Sequence, residues 1–392
     1  MQKFTIDPRR LAQEGMNALQ AGNPQQARAC FEKLVEGKYA DASIFLALAY
    51  ACKSTQDAPA ATSAIDNVLL LEPQNLRALL FKAEHLAEAG DRRAASAFYL
   101  AAIKAAPQAE QVPADLRQAM LAAQAFCDRQ TGELETLLIS ALAGHGVDQP
   151  GAERFNQSLD ILFGRKQIYL QEPRYYYFPG LPQVQFYPRD MFPWLDQVEA
   201  MTAEIRLELD QILRQHPAFQ PYVQGDPLRP RHDPTGMLNN PDWGAFYLMK
   251  DGSVVKENAA RCPRTMEALR DVPLALVGNR SPSILFSLLR PGARIPPHTG
   301  FVNTRLICHL PLIIPPQCGF RVGNETRQWV EGKAWVFDDT IEHEAWNLSN
   351  ETRVILLFDV WRPELSAHER DLVRAMLEAL DRKDGDSQSW GM

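Results

Sequence analysis

Two histidines carry the clearest chemical signal in this chain. His298 sits in Ile295-Pro-Pro-His-Thr-Gly300 and His343 in Phe337-Asp-Asp-Thr-Ile-Glu-His-Glu344, 45 residues apart. Neutral imidazole suits ferrous iron, and strands can bring two distant histidines into one site. The pair reads as two metal ligands whose third protein partner is missing. Gly300, two residues after His298, has no side chain to bind anything. Asp338 and Asp339 are better suited to shaping the turn before His343, or to orienting a histidine from behind, than to binding metal themselves.

Further polar residues stand where a dry core would not tolerate them. In Arg305-Leu-Ile-Cys-His-Leu310 the alternation of a strand places Arg305, Ile307 and His309 on one face. A charged group and an imidazole on such a face call for a polar pocket. Arg353 opens another apolar run, Arg353-Val-Ile-Leu-Leu-Phe358, where a guanidinium can hold a carboxylate through two parallel hydrogen bonds.

The elements that must position these residues are short β runs separated by Gly and Pro turns. They are expected at Ala245–Met249, Ile284–Leu289, Arg305–Ile314, Phe320–Val322, Ala334–Phe337 and Val354–Val360. Many short strands predict a sandwich or barrel, whose strand ends fix ligands and whose mouth admits substrate. Helices are expected over Trp194–Arg214 and Ser366–Leu380, before a polar, frayed tail.

The first 110 residues differ in kind. They repeat with a period of 34, aligning Ala27, Ala61 and Ala95 in one column and Phe31, Ile65 and Tyr99 in another. Gly15, Ala49 and Ala83 fill a small-residue column, and Pro73 and Pro107 end units. A small residue where two helices cross, a bulky one nearby and a closing proline make a helical hairpin, and the pattern resembles the tetratricopeptide repeat. Helical periodicity continues to about residue 145, and Gly144-His-Gly-Val-Asp-Gln-Pro-Gly151 breaks it. The expected architecture is α+β and multidomain. A tetratricopeptide-like helical solenoid spans 1–148, and a double-stranded β-helix (jelly roll, cupin-like) with flanking helices spans 149–392.

Bulk properties narrow the function class. The chain has 392 residues, 46% hydrophobic and 23% charged, as in an ordinary globular protein. A net charge of −7 gives no electrostatic reason to expect nucleic acid or an anionic membrane as partner. Six cysteines without C-x-x-C spacing predict neither a disulfide framework nor a zinc site. The N-terminal residues lack the apolar core of a secretory signal, and no run of apolar residues is long enough to span a membrane. A cytoplasmic location is the expectation.

From Ser287 to Leu365 the chain resembles the aspartyl/asparaginyl β-hydroxylase family of iron(II)/2-oxoglutarate oxygenases. The matching strings run in order through Ser287-x-x-x-Pro-Gly, Pro297-His-Thr-Gly300 and Arg305-Leu-x-x-His-Leu310. They continue through Gly323-Asn-Glu-Thr-Arg327, Trp329-x-Glu-Gly-Lys333 and Phe337-Asp-Asp339, then Glu342-His-Glu-x-Trp346 and Phe358-Asp-Val-Trp-x-Pro-Glu-Leu365. Upstream, Gly180-Leu-Pro, Trp243-x-x-Phe-x-Leu248 and Glu257-Asn extend the likeness to about 170–366. Animal members also carry tetratricopeptide-like repeats before the oxygenase domain.

The resemblance implies a hydroxylase using Fe(II), 2-oxoglutarate as cosubstrate and O2, and releasing succinate and CO2. His298 and His343 match its iron ligands and Gly300 its missing carboxylate. Arg353 matches the arginine that pairs with the distal carboxylate of 2-oxoglutarate, and Ser287 a hydroxyl donor to it. His309 matches the histidine beside the metal-proximal carboxylate, and Trp243 a tryptophan lining that pocket. Ile307 and Leu285 depart from the pattern, replacing an arginine and a lysine that approach the acidic substrate in animal members. The substrate expectation therefore stays broad: a peptide or protein side chain, a small molecule, or a lipid acyl chain. The repeats offer a surface for a protein partner. A contrasting expectation is a non-catalytic, repeat-based scaffold whose oxygenase domain has lost activity. A zinc cupin fits less well, because two histidines alone make a poor zinc site.

Overall fold

The computed structural model describes residues 7–106, 113–214, 219–225 and 236–384. It divides into two compact units, Met1–Phe163 and Gly164–Met392. The division falls after the expected boundary at 148, because one more helix groups with the helical unit. Pro107 and the tail from 385 lie outside the described residues.

The first unit is built from antiparallel helical hairpins: α1 (Pro8–Gln20) with α2 (Pro24–Glu36), α3 (Ala42–Ser54) with α4 (Ala58–Leu71), and α5 (Leu76–Glu88) with α6 (Arg92–Ala105). The long α7 (Ala114–Leu142) and short α8 (Glu153–Leu162) follow. Each hairpin helix starts at an Asp or Asn, from Asp7 to Asp91, whose side chain accepts a backbone N–H of the first turn. Such caps satisfy donors that a helix start otherwise leaves orphaned. The repeat columns mark the crossings. Ala27, Ala61, Ala95, Phe31 and Ile65 are buried, and a Cβ on Gly15 would stand 2.6 Å from the Phe31 ring. These are the tetratricopeptide-like hairpins that the 34-residue period predicts.

The second unit is antiparallel β with flanking helices. In chain order it contains α9 (Leu195–Ala200), α10 (Thr202–Leu213), β1 (Gln220–Pro221), β2 (Trp243–Lys250), β3 (Ser253–Val254), α11 (Lys256–Ala259) and α12 (Pro263–Ala268). There follow β4 (Ile284–Leu289), β5 (Arg294–His298), β6 (Arg305–Ile313), β7 (Cys318–Val322), β8 (Glu325–Arg327), β9 (Trp335–Phe337), β10 (His343–Asn347), β11 (Arg353–Trp361) and α13 (Ala367–Asp384). The helix expected over 194–214 is two helices broken at Met201.

The larger sheet runs β1-β2-β4-β11-β6-β9, with β3 on β2; the smaller runs β5-β10-β7-β8. Among the described residues neither sheet closes into a barrel. The larger sheet has two buried faces. Even-numbered residues such as Phe286, Leu306, Leu310, Leu356 and Phe358 pack against Val198, Ile205 and Leu209 of α9 and α10. Odd-numbered residues such as Leu289, Ile307, Ile355 and Leu357 pack with Ile295, Phe320, Val322 and Ala345 of the smaller sheet. Each such side chain fully buried stabilises by roughly 1.5–3 kcal/mol. The site lies on the odd face.

Candidate active site

The odd face is ordered in rows by the pairing register. Trp243, Leu289 and Arg353 form one row, and Ala245, Ser287 and Ile355 the next. Tyr247, Leu285, Leu357 and His309 form the third, followed by Asp359, Ile307 and Phe337. Arg305 stands at the far end of β6, opposite Trp361. Successive rows are two residues apart, so Arg353 and Asp359 lie roughly 20 Å apart along one strand. Between them is a cavity of about 240 Å³ that every expected site residue lines: Trp243, Ser287, His298, His309, His343 and Arg353.

The two histidines meet across the smaller sheet. His298 ends β5, His343 begins β10, and the two are register partners with ring centroids 4.1 Å apart. Their orientation is set in the same way. Nδ1 of His298 lies 2.8 Å from the carbonyl of Pro296, and Nδ1 of His343 lies 3.1 Å from that of Ile341. A carbonyl only accepts, so Nδ1 carries the proton in both rings and Nε2 presents its lone pair. Burial pushes both imidazoles down from their usual range, and the proximity of His298 lowers His343 further. Both imidazoles are neutral.

No set of three or more His, Cys, Asp or Glu side chains among the described residues could hold a metal. Position 300 has no room for a side chain. A Cβ on Gly300 would lie 2.1 Å from Oδ2 of Asp339, so that carboxylate fills the space a side chain would take. Asp339 is held by Arg305 at 3.2 Å, while Arg305 also pairs with Asp359 at 3.1 Å. Burial pushes Asp339 up to about 6, against the pull of Arg305. Asp338 shapes the turn: it accepts the N–H and hydroxyl of Thr340 and pairs with the fully buried Arg362 at 3.0 Å.

At the other end, Arg353 is 1% exposed and has no carboxylate partner among the described residues. Its Nη1 donates weakly to the carbonyl of Ser287 at 3.4 Å, and its buried Nε has no acceptor. Burial pulls the guanidinium down to about 10. The Trp329 ring lies 5.0 Å from it, giving a cation–π contact in place of an ion pair. Ser287 Oγ accepts the indole N–H of Trp243 at 3.2 Å, which leaves its own proton to donate. His309 is buried against Phe337 and Phe320, its Nδ1 without a partner, and burial and Arg353 both hold it neutral. Buried donors without acceptors are costly unless a ligand supplies the acceptor. Arg353, Ser287 and His309 thus make a receptor for an anion.

The wall near Ile307 is partly as expected. Ile307 faces the cavity, whereas Leu285 is wholly buried in the apolar layer beside Leu357 and Tyr247. Arg305 is a neutralised cation, held between two carboxylates. Sequence reasoning did not single out Asp359, the Trp329 ring under Arg353, or Tyr222, which stacks on Trp243 at 4.1 Å. The odd-residue alternation of β11 could have found Asp359, and nothing local could have found the others.

Parts of the chain resemble known proteins. The family model described as aspartyl/asparaginyl beta-hydroxylase matches residues 199–363. The chain is 32% identical over 205 residues to aspartate beta-hydroxylase domain-containing protein 2 of Xenopus tropicalis, covering 51% of this chain and 53% of that protein. It is 42% identical over 131 residues to the aspartyl/asparaginyl beta-hydroxylase of Homo sapiens, covering 33% and 17%. It is 34% identical over 190 residues to the ornithine lipid ester-linked acyl 2-hydroxylase of Rhizobium tropici, covering 47% and 62%. The chain thus spans only part of the length of these relatives. Among solved structures, the Yersinia enterocolitica type III secretion translocator chaperone SycD aligns with a TM-score of 0.29 at 16% identity, covering 32% of this chain and 85% of that one. No helix of the described residues is long and apolar enough to cross a membrane.

Proposed function

We infer the function of this chain from the family to which its C-terminal unit belongs, the aspartyl/asparaginyl β-hydroxylases. The proposed activity is hydroxylation of an unactivated C–H bond in a peptide, protein or small-molecule substrate. The proposed requirements are ferrous iron on His298 and His343, and 2-oxoglutarate on Arg353, Ser287 and His309. The observation that carries this reading is Arg353: a buried, unpaired guanidinium opening on the same cavity as two neutral, pre-oriented imidazoles.

The donor set fits the metal. Two imidazoles lie 4.1 Å apart with Nε2 free to accept in each, and the small number of protein ligands would leave positions for a chelating cosubstrate and for oxygen. Bound iron would supply activation of O2, with oxidation of 2-oxoglutarate to succinate and CO2 and insertion of one oxygen atom into the substrate C–H. The protein's share is placement. Pro296 and Ile341 hold the imidazole protons on Nδ1. Arg353 and the Ser287 hydroxyl give the far carboxylate of a dicarboxylate its counter-charge and a hydrogen bond. The stacked Trp243 and Tyr222 and the apolar residues of the odd face would exclude water from the reacting end.

Anaerobic calorimetry with Fe(II) and 2-oxoglutarate, followed by admission of air and assay of succinate, tests the reading. Both ligands should bind, and His298→Ala and His343→Ala should each weaken iron at least tenfold. Parental iron affinity in those variants would remove the ligand assignment. A degenerate scaffold would form no succinate with any substrate.

A further inference from the structure

Two arginines without ionic partners among the described residues share the cavity. Arg353 is buried at one end, and the proposed cosubstrate accounts for it. Arg174 is exposed, and nothing so far accounts for it. Its backbone is fixed beside the His298 loop. Arg174 N–H donates to the carbonyl of Gly300 at 3.0 Å, and Tyr175 N–H donates to that of Phe301 at 2.9 Å. Tyr176 forms a parallel bridge with Val302. The guanidinium lies 4.4 Å from the Phe301 ring centroid, a cation–π contact that fixes its direction while supplying no carboxylate to its N–H groups. Arg174 lines the same cavity as His298 and His343. Asp339, the acid whose field reaches Arg174, already pairs with Arg305.

The surroundings define what such a cation could hold. Arg305 cannot serve a substrate anion, because Asp339 and Asp359 together outweigh it. Ile307, Leu357, Met237 and Val223 add hydrocarbon wall to the same cavity. An anion is welcome at Arg174, and an aliphatic segment is welcome beside Ile307 and Leu357.

We propose that Arg174 anchors an anionic group of the substrate, and that the substrate is an aliphatic amphiphile: a hydrocarbon chain bearing a carboxylate or phosphate near the carbon that reacts. This rests on the hydroxylase reading and gives it a substrate class. Chain burial supplies affinity, and the anion fixes which carbon faces the histidine pair.

The test uses the full chain loaded with Mn(II), a redox-silent stand-in for ferrous iron, and 2-oxoglutarate. Calorimetry then measures three probes: N-octanoylglycine, its uncharged amide N-octanoylglycinamide, and a short peptide containing aspartate. N-octanoylglycine should bind about tenfold or more tighter than the amide, the range of a charge-assisted hydrogen bond. Arg174→Gln should erase that difference, Arg174→Lys should keep most of it, and neither should change the affinity for 2-oxoglutarate. Ile307→Asp should weaken both acyl probes. Equal binding of acid and amide, failure of both acyl probes, or tighter binding of the aspartate peptide overturns the proposal. So does an Arg174→Gln defect in 2-oxoglutarate binding, which would assign Arg174 to the cosubstrate. If the parent protein binds no 2-oxoglutarate with Mn(II), the hydroxylase reading falls first and this one with it.

Discussion

Gly300 and Asp339 compete for one volume, and a double-mutant cycle can measure the competition. The Cβ of Gly300→Ala would stand 2.1 Å from Oδ2 and 2.4 Å from Cγ of Asp339. Asp339 has a short side chain tied to Arg305 at 3.2 Å, so it cannot simply swing away. Overpacking of this kind costs about 1–3 kcal/mol. Asp339→Ala alone removes one of the two carboxylates of a buried arginine. It should cost less than the roughly 3–5 kcal/mol of a fully broken buried pair, because Asp359 remains at 3.1 Å. In the Asp339→Ala background the volume is vacant, so adding Gly300→Ala should cost almost nothing. The expected coupling is therefore about 1–3 kcal/mol in favour of the double variant. For a unit of this size Gly300→Ala should lower Tm by roughly 2–12 °C. All seven tryptophans lie beyond residue 163, so denaturant unfolding followed by tryptophan fluorescence reports this unit alone. Additivity within about 0.5 kcal/mol would refute the shared volume, and with it the account of why position 300 is glycine.

Three further outcomes follow from the same geometry. Arg353→Met removes an unpaired buried charge, so the ligand-free protein should unfold at a higher denaturant midpoint while 2-oxoglutarate affinity falls about a hundredfold by calorimetry; a lower midpoint would mean that Arg353 has a structural partner. Trp329→Leu removes the ring beneath Arg353 and should weaken 2-oxoglutarate by about three- to thirtyfold at unchanged iron affinity, with Trp329→Phe intermediate. His309 is depressed below its unfolded value, so the unfolded chain takes up its proton first and stability falls as pH drops below about 6.5. His309→Gln should flatten the pH dependence of stability between pH 6.5 and 5, by half of about 1.4 kcal/mol per pH unit at pH 6.5 and by nearly all of it at pH 5, measured by urea unfolding at each pH; an unchanged slope would mean that His309 titrates normally in the fold.

Much of the site was legible because strand alternation and motif spacing carry it. Arg305, Ile307 and His309 share a face as the period of two requires, and Ile284–Leu289 is a strand over its expected span. The helical repeats were legible for a similar reason: a small residue must recur wherever two helices cross. The strands of the histidines were harder to see. β5 reads Arg294-Ile-Pro-Pro-His298, and two prolines argue against a strand unless it lies at an edge, where β5 does lie. β10 has five residues, two of them glutamate and asparagine, and is held by neighbours on both sides rather than by its own propensity. The break at Met201 and the twofold pairing of Arg305 depend on contacts between residues far apart in sequence. No local pattern encodes them.

One sheet sets a wholly apolar face against the face that carries the candidate site, and the separation follows from its period of two. On β11, Val354, Leu356, Phe358 and Val360 are all completely buried against the helices, while Arg353, Ile355, Leu357 and Asp359 face the cavity. On β6, Leu306, Cys308 and Leu310 take the first role and Arg305, Ile307 and His309 the second. Two buried arginines, an aspartate and an unpartnered histidine would be hard to sustain in a core that had to hold itself together through them. Here the even face is apolar throughout and adds its cohesion to that of the apolar residues on the odd face, so the odd face can also carry charges. The same arrangement fixes the register. A slip of one residue would turn Arg353, Asp359, Arg305 and His309 into the hydrocarbon against α9 and α10, at a desolvation cost that no alternative pairing repays. The polar residues that prepare the site for its ligands therefore also specify how its strands align.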